Sequence, residues 1–125
     1  MAGSSGSLHE NEQSLNPEII DRHRAIVSIM EELEAIDWYD QRVDAATDEE
    51  LKGLLAHNRD EEKEHAAMMV EWLRRRDPKL NEHLRTYLFT QGSILEIEEE
   101  AEGRDKGGGG ESSGDGSLGI GSLRS

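Results

Sequence analysis

No cysteine occurs in the 125 residues, so neither a disulfide nor a thiolate-held metal can tie this chain together. No apolar run approaches the roughly 20 residues that span a bilayer, and there is no secretory leader, so the chain is expected to be cytoplasmic as made. Basic charge is scarce: 14 Lys and Arg face 28 Asp and Glu, for a formal net charge of −14. Eight of those acids and three of the bases lie from Glu96 onward, so most of the excess sits in the foldable part, which argues against nucleic acid and membrane as partners. Apolar residues are few as well, at 34%, beside thirteen glycines. Residues 1–15 and 93–115 have too little to bury to offset the entropy of ordering them. They read as a disordered N-terminus and an acidic, Gly/Ser-rich flexible linker. Residues 16–92 remain, and a unit that small normally needs a metal or a partner when disulfides are excluded.

What is present is helical periodicity, and the fold class it implies is all-α. Asn16-Pro17 starts a first helix, with Asn as N-cap and Pro at the first helical position. Thr47-Asp48-Glu49-Glu50 fits a capping box for a second, which runs past Trp72 and stops before Asp77-Pro78. Each is roughly 28 residues, or on the order of 40 Å long. The short link between them makes an antiparallel two-helix hairpin. A short C-terminal helix is expected over about Lys79 to Phe89, with Leu80, Leu84, Tyr87 and Leu88 on one side and Gly92 as terminator. Ile94, Leu95 and Ile97 leave residues 93–100 open between a little further order and the linker. Apolar residues of the first helix fall in two bands: Ala25, Ile29, Ile36 and Val43, and Ile19, Ile26, Met30 and Leu33. One band can face the second helix. The other needs a second copy of the hairpin, giving a homodimer with a ferritin-like four-helix bundle.

Along the second helix, steps of three and four give the seam Leu51, Leu55, Asn58, Glu62, His65, Met69, Trp72. A carboxylate and an imidazole at i and i+3 thus occupy a stripe that is otherwise apolar, and an unpaired buried carboxylate is costly. Glu32 repeats the anomaly on the first helix, within about 60° of Ala25, Ile29, Ile36 and Val43 at 100° per residue. With a hinge near residues 45–48, Glu32 and Glu62 stand at one level. A di-iron carboxylate bundle takes single glutamates from two helices and Glu-x-x-His from two others. One chain carries half of that set, and a two-fold partner would complete it. Oxygen donors with one imidazole per metal suit iron, with manganese and zinc also able to bind. Glu-x-x-His alone is a weak signal, because Glu61, Glu62, Glu64 and His65 also fit a solvated face; the seam position and the matching Glu32 favour a metal.

Other residues are open between two roles. Tyr39, one heptad beyond Glu32, is either a core residue or a group bonded to a ligand carboxylate. Glu31 and Glu34, with Trp38 a turn later, either draw cations by their local field or form an ordinary wet face. His57 reads as surface or interface first and as a ligand second. The chain ends Gly116-Ser-Leu-Gly-Ile-Gly-Ser-Leu-Arg-Ser125, where Leu118, Ile120 and Leu123 on a flexible tether have the form of a short docking peptide.

The segments HRAIVSIMEELEAIDWYDQR from His23, HNRDEEKEHAAMMVEWLRRR from His57, HLRTYLFT from His83 and the tail GSLGIGSL resemble the encapsulated ferritins, the ferritin-like cargo of encapsulins. The resemblance implies a ferroxidase oxidising iron(II) with dioxygen at an inter-subunit di-iron site. Its ligands would be Glu32, Glu62 and His65, with two irons per dimer interface, Tyr39 lining the site, and Glu31, Glu34 and Trp38 around the iron approach. It further implies a ring-shaped homodecamer of five dimers. Such a ring depends on an encapsulin nanocompartment for mineral storage and docks on the shell through Ser117 to Leu123. From the residues alone, a non-catalytic divalent-metal buffer or chaperone remains open beside the enzyme. So does a structural interaction module. Haemerythrin-like oxygen carriage is disfavoured, since five scattered histidines supply too few helix-spaced ligands.

Overall fold

The computed structural model describes residues 7–108, and side chains as far as residue 103. Part of the segment expected to be disordered is included: a 3-10 turn, Glu12–Ser14, forms where the Asn11 side chain accepts a hydrogen bond from Gln13 N at 2.9 Å. A local side-chain bond of this kind orders a turn without any core. Four α-helices follow: α1, Pro17–Ala45; α2, Glu49–Arg76; α3, Pro78–Tyr87; and α4, Ile94–Gly108. The chain divides after Arg76 into a hairpin unit and a C-terminal unit. Among the described residues, no helix is long and apolar enough to cross a membrane.

In the hairpin unit α1 starts as its sequence predicts. Asn16 Oδ1 accepts from Glu18 N at 2.8 Å, and Pro17 takes the first helical position, where its missing N–H is not needed. The second start lies one residue beyond Thr47: Asp48 Oδ2 accepts from Leu51 N at 2.8 Å. A carboxylate satisfies the free amide and also faces the positive end of the helix dipole, which a threonine hydroxyl does not. Residues 46–48 leave no room for anything but an antiparallel return. Side chains bind the two helices at two heights, Arg22 Nη1 to Arg76 O at 3.0 Å and Arg59 Nη1 to Asp40 Oδ1 at 3.2 Å.

The buried residues among those described are Ala25, Ala66 and Leu73. Alanines on facing helices let the axes approach, which sets the innermost line of α2 at Arg59, Ala66 and Leu73. The expected seam is displaced accordingly. Leu55, Glu62, His65, Met69 and Trp72 are half-buried on its flank, while Leu51 and Asn58 are exposed. On α1 the second apolar band behaves as the sequence requires: Ile19, Ile26, Met30 and Leu33 are 38–55% exposed in the single chain. At the far end of α2, Glu71 takes a two-pronged bond from Arg74 and another from Arg75, which hold its carboxyl down at about 2.

The C-terminal unit opens with Asp77 capping α3 through Leu80 N at 3.0 Å. The helix ends at Tyr87, short of Phe89 and well before Gly92, because Leu88 is extended and Phe89 adopts φ 63°. Helix α4 corrects the reading of residues 93–115 as a flexible linker, at least to residue 108. Ser93 Oγ accepts from Glu96 N at 3.2 Å, and Glu96 stands in the first turn, where the dipole favours an acid. Ile94, Ile97 and Ala101 give it an apolar line at i, i+3 and i+7. It packs on α3, where burial pushes the Tyr87 hydroxyl upward and Glu98 and Glu102 push it the same way. Residues 109–115 of the expected linker and the expected docking peptide, 116–125, lie outside the described residues.

Candidate metal centre

Glu32 stands about two turns of α1 after Ala25, on the side that α2 covers, so its carboxylate is carried toward the hairpin interior. Helix α2 brings Glu62 and His65 from the opposite direction. At i and i+3 they occupy neighbouring positions on one face. The three residues converge: one donor atom from each of Glu32, Glu62 and His65 lies within 4.8 Å of the others, and all three are half-buried. His65 Nδ1 is 3.6 Å from Glu62 Oε1.

The electrostatic state of this group is unusual for an ordinary hairpin interior. Glu32 Oε1 is buried and has no hydrogen-bond partner among the described residues. Such an atom costs on the order of 1–3 kcal/mol, more if it carries charge, unless something meets it. Arginine, the usual answer, is spent elsewhere: Arg59 turns to Asp40 and Asp60 at 3.2 Å each. A cation answers both the orphaned oxygen and the clustered negative charge. An ion held about 2.1 Å from each donor needs donors no more than about 4 Å apart, so the observed spread closes with a small side-chain adjustment. Two carboxylates and an imidazole are suited to iron, manganese or zinc. Three protein donors leave coordination positions open.

The other candidates are not drawn into this group. Glu31 and Glu34 are exposed on α1, and Trp38 is 49% exposed. Tyr39 is half-buried, with the Arg42 guanidinium 5.4 Å from its ring centre, and its hydroxyl does not bond Glu32 Oε1. Arg42 also lies 5.9 Å from the Trp38 ring, so one cation serves both aromatics. His57 is exposed beside Glu61, with Nε2 3.9 Å from its Oε2. Glu61, which with Glu62, Glu64 and His65 also fits a solvated face in the sequence, is exposed. Its Oε1 lies 3.8 Å from His65 Nε2, a neighbour that the i, i+4 spacing on α2 allows.

Comparison with known proteins follows the same segments. Residues 7–91 match the EncFtn-like family. An encapsulated ferritin-like protein of Rhodospirillum rubrum is 64% identical, over 99% of this chain and 92% of its own length. A ferritin-like protein of Thermotoga maritima is 52% identical over 82% of this chain and 90% of that one. A crystal structure of a protein from Nitrosomonas europaea superposes with a TM-score of 0.68 at 58% identity, covering 70% of this chain and 97% of that one.

Proposed function

The chain belongs to the EncFtn-like family, and from that premise we propose that it is a ferroxidase whose di-iron site is shared between two copies of the hairpin. The observation that carries the reading is the convergence of Glu32, Glu62 and His65 around a buried carboxylate oxygen without a partner. One glutamate from α1 and Glu-x-x-His from α2 are half of a di-iron carboxylate set, and a two-fold copy supplies the other half. The exposed band of Ile19, Ile26, Met30 and Leu33 gives that copy an apolar surface to cover.

Iron(II) is the substrate. The two ions of a shared site give one electron each to dioxygen, which takes up two protons and leaves as hydrogen peroxide; both ions leave as iron(III), and the carboxylates of Glu32 and Glu62 stabilise the higher charge. His65 is the neutral donor. Tyr39, one heptad along α1, lines the site from the hinge side. Glu31 and Glu34, exposed beside Trp38, raise the local concentration of cations. Stopped-flow absorbance after mixing the full chain aerobically with iron(II) tests the assignment. Fast oxidation is expected in the wild type, with a loss of more than about 100-fold in Glu32→Ala and in His65→Ala. Binding without oxidation would instead make the protein a divalent-metal buffer, and rates unchanged by both substitutions would remove the site.

The pairs belong to a larger assembly, a homodecamer by the resemblance of the sequence, and that assembly works inside an encapsulin nanocompartment. The names of two relatives support the location: one is an encapsulated ferritin-like protein, and another, 42% identical over 57 residues, is an encapsulin nanocompartment cargo protein of Myxococcus xanthus. Leu118, Ile120 and Leu123 in Ser117 to Leu123 supply the apolar contacts to the shell. Deleting Ser117 to Ser125 is expected to abolish loading of a co-expressed shell and to leave oxidation by the free protein unchanged. Loading that survives the deletion would contradict the docking role.

A further inference from the structure

A metal-binding histidine has a second ring nitrogen, and the group facing that nitrogen decides which of the two is free for the metal. Helical side chains lean toward the N-terminus, so His65 lies over the preceding turn, astride two consecutive glutamates. Nδ1 faces Glu62 Oε1 at 3.6 Å, on the side of the ligand group, and Nε2 faces Glu61 Oε1 at 3.8 Å. The far oxygen of Glu61, Oε2, is 3.9 Å from His57 Nε2. Residues 57, 61 and 65 therefore form a ladder along α2 of imidazole, carboxylate and imidazole, which ends at the candidate metal centre. Glu61 itself is not among the three converging donors.

We infer that Glu61 is a positioning residue: it accepts the Nε2–H of His65 and so holds Nδ1 unprotonated and turned toward Glu62. The inference rests on the metal-centre reading of the preceding subsection. A neutral imidazole carries one ring proton. With the proton fixed at Nε2, the Nδ1 lone pair is available to a metal. Without an acceptor at Nε2 the two tautomers compete, and the ring is free to rotate about its bond to Cβ. The separation of 3.8 Å exceeds an N–H···O bond by about 0.9 Å, a gap that one side-chain torsion of the half-exposed Glu61 closes.

Cobalt(II) titration of the full chain tests this without turnover, reading both affinity and the visible ligand-field bands. Glu61→Ala is expected to weaken binding by about 10- to 100-fold and to alter the bands. Glu61→Gln keeps a carbonyl acceptor at the same reach and is expected to lose less than about tenfold, with wild-type bands. Native mass spectrometry of each variant checks that the assembly is unchanged. An alanine variant with wild-type affinity and spectrum overturns the inference. A glutamine variant as weak as alanine also overturns it, because charge and not orientation would then matter. His65→Ala separates this from the parent reading. If His65→Ala keeps the bands, the metal centre itself is wrong, whatever Glu61 does.

Discussion

Helix α4 and the middle of the hairpin are both rich in glutamate, yet they differ in what the acid is for. Glu96, Glu98, Glu99, Glu100 and Glu102 lie within two turns of α4 and are exposed, each free to take its counter-charge from water and salt. They gather no cluster of potential ligands among the described residues. Glu32 and Glu62 come from different helices, are half-buried, and meet an imidazole. Acid density alone therefore marks a solvated helix. A site needs carboxylates that converge from separate elements and that cannot be satisfied where they stand.

This contrast can be broken in two places. The larger effect is expected at the band that a second copy would cover. Ile26→Asp combined with Leu33→Asp adds charge to an exposed apolar surface outside the three donors, so α1 and α2 are expected to stay helical by circular dichroism while pairing is lost. If the site is shared, iron oxidation nevertheless falls by about 100-fold or more; a site complete within one chain would keep its rate. The smaller effect is expected in α4. Glu99→Gln with Glu100→Gln removes two exposed charges from the densest acidic run and is expected to change the oxidation rate by less than about twofold, since screened charges remote from a site contribute little. A loss approaching that of His65→Ala would mean that α4 takes part in the chemistry.

Much of the hairpin was legible because its signals are local or periodic. Asn16-Pro17, Asp77-Pro78 and the short link at residues 46–48 fix the ends of α1 and α2, and the second apolar band of α1 is exposed as its spacing demands. The convergence of Glu32, Glu62 and His65 was legible for the same reason, since two helical periods and one hinge determine it. What depended on close packing was not. The innermost line of α2 follows Ala25 and Ala66, whose small side chains draw the helices together, and periodicity treats alanine as a weak apolar residue. Composition alone leaves residues 93–100 open and reads the rest of α4 as linker, because it outweighs the Ser93 cap and the sparse line of Ile94, Ile97 and Ala101. Glu61 was hidden by its neighbours: in Glu61-Glu62 only the tilt of the His65 side chain distinguishes the residue behind the ring from the one in front.

The shared site is tested most directly by native mass spectrometry of the full chain titrated anaerobically with iron(II). Metal should appear only on species with an even number of chains, rising to one iron per chain, and the Ile26→Asp, Leu33→Asp variant should remain monomeric and metal-free. Iron carried stoichiometrically by single chains, in the wild type or in that variant, would contradict the account.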